Sequence, residues 1–267
     1  MTERTEFFDT IYGNFSDPAL HAIRKETFGQ DIGQNSWLTV DEYDRFLHWL
    51  DLDPKKHVLE VASGSGGPAL YLARQAGCRV TGIDENESGV TTATRAARSL
   101  GFEDRARFVV GDATAPLGFE DRTFEGLLCV DSMNHFPDRL AVLREWRRVL
   151  KPGGRAVFTD PVVITGPLTN EDLALRSSIG LFLFVPPGVT EKMIEEAGLR
   201  LDHKEDVSDN AAQVADRWRR ARERHRDDVL KIEGEERFAS FQRFFGAVHR
   251  LTSERRLSRI AYFTERA

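Results

Sequence analysis

The stretch Val58-Leu59-Glu60-Val61-Ala62-Ser63-Gly64-Ser65-Gly66-Gly67-Pro68-Ala69-Leu70-Tyr71-Leu72-Ala73 constrains this chain most. A short apolar run carrying a glutamate, then small residues, then apolar periodicity predicts a buried strand, a tight turn and a helix over Pro68–Gln75. Gly64 and Gly66 carry no Cβ, so the turn can adopt positive φ and lie close to a bound molecule, beside the free amides that open the helix. A dinucleotide site cradles pyrophosphate on a glycine fingerprint at the helix N-terminus. Here a carboxylate precedes the glycines and the third glycine of that spacing is missing. A ligand with an ammonium group and no phosphate suits this turn.

Two more predicted strands end in acids. Cys78–Asp84 is an apolar strand whose Asp84 sits where a doubly wound sheet meets its ligand, and a carboxylate there can accept both hydroxyls of a ribose. Asp84 serves equally well as N-cap of the following helix, Glu87–Ser99, and Asn86 adds a polar group. Arg107–Ala113 is a third strand, closing on Gly111-Asp112-Ala113. Phe124–Val130 is a fourth, opening into Asp131-Ser132-Met133-Asn134-His135-Phe136-Pro137. An amphipathic helix, Arg139–Leu150, is then stopped by Lys151-Pro152-Gly153-Gly154 before a fifth strand, Arg155–Asp160. Leu199–Val207 and Arg259–Thr264 read as the last two strands. Strands alternating with helices predict an α/β fold with a parallel sheet covered on both faces. Phe7–Phe28 predicts short N-terminal helices, and Thr39 with Glu42 a capping box opening the helix Val40–Leu50.

The glycine turn resembles the E-x-G-x-G-x-G loop of class I S-adenosylmethionine-dependent methyltransferases, with Ala62 where that family usually has its first glycine. The resemblance implies a Rossmann-like, seven-stranded, mostly parallel sheet with helices on both faces, the last strand antiparallel beside the fifth, and helical cap and lid insertions. It also implies a cofactor site of Glu60, Ala62, Gly64, Asp84 and Asn86, with Asp112 accepting from the adenine amino group, Ala113 giving an amide to the ring, and Val130 close by. Gly29–Trp37 resembles the loop before the core in the sarcosine/dimethylglycine and phosphoethanolamine group, which implies that Gln34, Ser36 and Trp37 close over the cofactor. Asp131 to His135 resembles that group's S-x-D-x-x-x-H segment, with Cys129 in place of the serine. This implies that Asp131 touches the acceptor and His135 serves catalysis. A histidine titrates near neutrality, so His135 suits a proton transfer; a capping role for it before Pro137 stays open, and Tyr12 is a second catalytic candidate. Residues 30 to 160 carry the resemblance and the ends follow it by layout. The expected plan is one domain, 1–267, with a cap and lid at 1–37, a cofactor core at 38–160, acceptor-side insertions at 161–190 and 208–255, and a closing strand at 256–267.

A formal charge of −6 and the absence of any apolar run near the ~20 residues of a membrane span predict neither a nucleic-acid nor a membrane partner. Met1–Asp9 has no apolar segment of the secretory kind, and Cys78 and Cys129 read as buried free thiols of a cytoplasmic protein, with no metal site. Arginines of Arg217–Arg226 alternate with acids and predict a solvated helical face. Phe238, Phe241, Phe244, Phe245 and Val248 recur at helical spacing, as core or as the roof of a pocket, and Ser178–Pro187 predicts an extra helix or lid with an apolar wall. Together these features predict methyl transfer from S-adenosylmethionine to O, N or C of a small, partly hydrophobic metabolite, by a monomer or homodimer. A nicotinamide-dependent oxidoreductase and a cofactor-binding regulatory protein are the alternatives.

Overall fold

The computed structural model describes residues 12–15 and 17–267, so Phe7, Phe8 and Ile11 of the expected N-terminal cap lie outside the described residues. Two helices, α1 (Pro18–Phe28) and α2 (Val40–Leu50), precede β1 (His57–Val61). The order then runs α3 (Gly67–Ala76), β2 (Arg79–Asp84), α4 (Glu87–Ser99), β3 (Ala106–Val110), β4 (Phe124–Cys129), a short 3-10 turn (Met133–His135), α5 (Arg139–Val149) and β5 (Leu150–Ile164). It closes with α6 (Asn170–Arg176), α7 (Val189–Glu196), β6 (Arg200–Asp206), α8 (Ser208–Arg224), α9 (Arg226–Glu233), α10 (Glu235–Ser253) and β7 (Leu257–Glu265).

The strands form one seven-stranded sheet in the order β3-β2-β1-β4-β5-β7-β6. The first five of these pair in parallel, and β7 runs antiparallel to both β5 and β6, as expected from the resemblance. Alternation along β1 divides its side chains between two cores: Val58 joins Tyr43, Phe46 and Leu70, whereas Leu59 and Val61 join Leu143, Trp146 and Phe158. Both faces of the parallel part are therefore covered, which is the condition for such a sheet to be stable. A third cluster is built from Phe28, Trp37, Val214, Phe241, Phe244 and Phe245, so α1, α8 and α10 pack together as a cap of their own. The five parallel strands β1 to β5 all run toward the same edge of the sheet, where residues of that cap face the ends of β1 to β4 across one cavity.

Three local expectations change. Thr39 makes no side-chain cap to α2, because Glu42 turns inward to the buried Arg259 and Asn210 instead of back to the helix start. The helix stops before Lys151 as expected, but the fifth strand is longer than Arg155–Asp160: β5 begins at Leu150, and the Gly153 amide and Gly154 carbonyl pair with Arg266, a bulge that Gly153 permits at φ +73°. Ser178–Pro187 is irregular rather than helical; the extra helix forms earlier, as α6, where Thr169 and Asp172 make a reciprocal capping box.

Candidate functional site

A cavity of about 540 Å³ opens over the ends of β1 to β4, where the sequence put its three acids. Glu60, Ala62, Gly64, Asp84, Asn86, Asp112, Ala113 and Val130 all line it, as do Tyr12, Ser36, Trp37, Asp131 and His135. These positions are separated by more than a hundred residues of sequence, and the parallel strand order alone gathers them.

Glu60 is buried, and one carboxylate oxygen takes the Ala69 amide at the start of α3 while Oε2 has no partner. Burial, and then the charge of Asp84, push its carboxyl up to about 8. Folded Glu60 thus holds its proton above the 4.5 of an ordinary glutamate, and the folded state loses stability as pH rises from that value through about 8. Glu60→Gln is expected to stabilise the ligand-free protein more at pH 9 than at pH 5, by more than about 1 kcal/mol, since one unit of pKa is worth about 1.4 kcal/mol. Urea unfolding at the two pH values measures it, and an equal effect at both would contradict the assignment.

Asp84 accepts the Gly64 amide at 2.7 Å through Oδ2 and the Asn86 amide at 2.8 Å through Oδ1. The carboxylate therefore fixes the glycine turn as well as facing the cavity. The cap of α4 is Asn86, not Asp84: its Oδ1 accepts from Gly89 at 2.7 Å. Ala62 is held at φ +58°, a conformation L-residues adopt at a cost of roughly 1–2 kcal/mol and glycine adopts freely. A Cβ on Gly64 would come within 2.6 Å of the Tyr12 hydroxyl, so only glycine lets that ring lie across the turn. Asp112 is at the exposed rim, where Oδ1 accepts the Thr114 amide and hydroxyl.

At the other end of the cavity, His135 ends the 3-10 turn. Its Nδ1 lies 2.8 Å from the Leu181 carbonyl, which can only accept, so the neutral ring carries its proton there and presents a lone pair at Nε2. Asn134 Nδ2 is 3.3 Å from Nε2, and the imidazole packs edge-on to Phe182 at 4.9 Å.

Three expected site residues have other work. Gln34 is fully buried in its loop, receiving the Ile32 amide and donating to the Gln30 and Leu38 carbonyls, and it is not part of the cavity wall. Asp131 has both oxygens engaged, with the Trp37 amide on Oδ2 and the Thr159 hydroxyl and Arg259 guanidinium on Oδ1. It braces the lid loop against the sheet rather than reaching for an acceptor. Tyr12 is buried, and burial together with Asp84's charge holds its phenol far above the usual value, so it keeps its proton at neutral pH.

Arg176 and Arg222 were not anticipated. Instead of lying on a solvated face, Arg222 is 3% exposed, ion-paired to Glu233 at 2.6 Å, and part of the cavity wall. Its neighbours behave as expected, with Arg219 and Arg220 on Asp216 and Arg224 on Glu26. Arg176 is 2% exposed and also lines the cavity. No motif marks either position; each is one arginine among polar neighbours.

Comparison with known proteins agrees with this geometry. Residues 59–158 match the family model described as a methyltransferase domain. The chain is 34% identical over 213 residues to methyltransferase GfsG of Streptomyces halstedii, covering 77% of this chain and 71% of that protein. It is 31% identical over 190 residues to the glycine/sarcosine/dimethylglycine N-methyltransferase of Actinopolyspora halophila, 71% of this chain but 33% of that longer protein. In fold it is similar to the cyclopropane synthase MmaA2 of Mycobacterium tuberculosis, with a TM-score of 0.83 at 16% identity over 98% of both chains. With the acids at the strand ends, the glycine turn between them and these relatives, the chain belongs to the class I S-adenosylmethionine-dependent methyltransferases that act on small molecules.

Proposed function

We propose that the cavity is divided between the two reactants, with the methyl donor along the sheet edge from Asp112 to Glu60 and a small, partly hydrophobic acceptor beyond it, under the cap and against His135. The observation that carries this reading is the continuity of one cavity from three strand-end acids to an apolar chamber walled by Ile179, Leu181, Phe182 and Phe241. Buried ligand sites are mostly apolar with a few placed polar groups.

S-adenosylmethionine, when bound, supplies a methyl group already activated on a sulfonium. The residues present fit it. Glu60 Oε2 is a buried oxygen lacking a donor, which an ammonium nearby would supply. Asp84 would receive the ribose hydroxyls, and Asp112 and Ala113 would meet the adenine ring at the rim. Trp37 closes the site from above, its amide on Asp131 and its carbonyl on Asn210.

Because the donor is activated, the protein's task is alignment and, for an alcohol, phenol or ammonium acceptor, removal of one proton. His135 Nε2 takes that proton, oriented by the Leu181 carbonyl behind it. Asp131 is a positioning residue, acting through Trp37 and Arg259. The chain works as a single catalytic unit whose segments 17–37, 161–190 and 208–255 enclose the acceptor; two unpaired buried cysteines suit a reducing, cytoplasmic setting. A screen of small amines, phenols and terpenoid alcohols with labelled methyl donor tests the reading. Labelled small-molecule product is the expected outcome. Label appearing only on protein or nucleic acid would overturn it.

A further inference from the structure

Among the described residues the buried arginines other than Arg176 each have an ion-pair or backbone-carbonyl partner, although Arg139, Arg222 and Arg259 each also keep one buried nitrogen without a hydrogen bond. Arg139 pairs with Asp160, Arg222 with Glu233, Arg24 with Asp31, and Arg259 with Asp131 and Glu42, while Arg266 donates to three backbone carbonyls. Arg176, the last residue of α6, is as deeply buried as these, yet no described carboxylate lies within ion-pair distance of it, and its Nη1 has no hydrogen-bond partner. Its guanidinium carbon lies over the ring of Phe182, 4.6 Å from the centroid, and over that of Phe244, at 5.2 Å. Those contacts favour a cation but leave the N–H edge unmatched, since a ring accepts charge on its face and does not replace an in-plane acceptor. Burial lowers the guanidinium only to about 10, so it stays charged at neutral pH. The charges of Asp131 and Asp160 act on it only from beyond ion-pair distance, and an anion in direct contact would supply the in-plane acceptor it lacks.

The place of this cation matters. Arg176 lines the same cavity as His135, and Phe182 lies between them, packed edge-on to the imidazole on one side and under the guanidinium on the other. The cation and the base are thus one aromatic ring apart at the acceptor end, away from the acids that flank the glycine turn. Around them the wall is largely apolar and aromatic, with Ile179, Leu181, Phe241 and Phe245, and its further charges are Arg237 and the Arg222–Glu233 ion pair beside Phe241.

We propose that the methyl acceptor carries an oxyanion, a carboxylate or a phosphate monoester, on an apolar body, and that Arg176 binds this group through its unpartnered N–H edge while the body fills the aromatic chamber. The fork of a guanidinium matches the paired oxygens of such groups, and a flanking aromatic pair holds the fork in plane. The methyl-accepting atom then lies close to the acid group on the acceptor, because Arg176 and His135 are close to each other. This inference rests on the acceptor reading given above and narrows it to anionic amphiphiles.

The test uses the full chain saturated with S-adenosylhomocysteine and three calorimetric series running from hexyl to dodecyl: alkanoates, alkyl phosphates and the neutral methyl alkanoates. At least one anionic series is expected to bind about tenfold or more tightly than the neutral esters of matching length, and the series that does so identifies the oxyanion. Arg176→Met should abolish the preference and Arg176→Lys should keep part of it, with S-adenosylhomocysteine affinity unchanged in both as the check that each variant folds. No preference in the parent protein, or a preference that survives in Arg176→Met, overturns the proposal. So does a loss of S-adenosylhomocysteine binding in both variants while each unfolds at the parental temperature, since Arg176 would then serve the donor. Failure of the parent protein to bind S-adenosylhomocysteine at all would instead refute the two-reactant reading of the cavity.

Discussion

Asp84→Ala is expected to weaken binding of S-adenosylhomocysteine by at least a hundredfold. Hydrogen bonds to a charged group are worth ~1.5–3 kcal/mol each, and Asp84 is placed to give two of them to a ribose. The substitution also releases the Gly64 and Asn86 amides, both of which Asp84 now holds, so the turn itself loses its set shape. Asp84→Asn should be milder, because the amide oxygen can keep one backbone amide in place. Calorimetry on the three proteins measures the series, and parental affinity in Asp84→Ala would show that the nucleoside lies elsewhere.

His135→Ala is expected to reduce turnover by ~10²–10⁴-fold with a hydroxyl acceptor, the usual range for general-base assistance. Affinity for S-adenosylhomocysteine should stay nearly parental, because His135 lies beyond the loops of Glu60, Asp84 and Asp112. The same substitution should matter little for an acceptor that reacts as a neutral amine and needs no deprotonation before transfer. The pH profile separates this role from a structural one: activity carried by a base rises with pH through the histidine's titration and that rise should vanish in the variant. A variant with near-parental turnover on a phenol would show that alignment alone carries the rate.

How much of this was legible beforehand depended on the range of the interactions. The strand and helix order, the glycine turn, and the acids Glu60, Asp84 and Asp112 follow from local patterns, because a parallel sheet places consecutive strand ends side by side and each acid is marked by its own strand. Helices α2 and α4 begin and end at the residues read from periodicity. Roles decided by distant partners were not visible. Asp131 is committed to bracing by Arg259, 128 residues further along, and Glu42 abandons its capping position for the same guanidinium. Gln34 sits in a loop whose backbone amide and carbonyls absorb its polar groups, an outcome fixed by how the loop folds and not by its composition. Arg176 differs from the chain's other buried arginines only in what it lacks, and an absent partner leaves no trace in a sequence. The bulged extension of β5 likewise follows from Arg266, a residue at the opposite end of the fold's last strand.

Trp37 donates its amide to Asp131 and packs its ring against Trp218, Phe244 and Phe245, so cap, loop and sheet meet at one residue.

If one cavity serves both reactants, the donor's methyl is directed at the chamber that His135 and Arg176 share. A crystal structure of the protein with S-adenosylhomocysteine tests it most directly. The expected density has ribose oxygens on Asp84, adenine beside Asp112 and Ala113, the amino group toward Glu60, and the sulfur facing Phe182 and His135. A nucleoside seated in this way but with its sulfur turned toward solvent, or bound outside this cavity, would contradict the account.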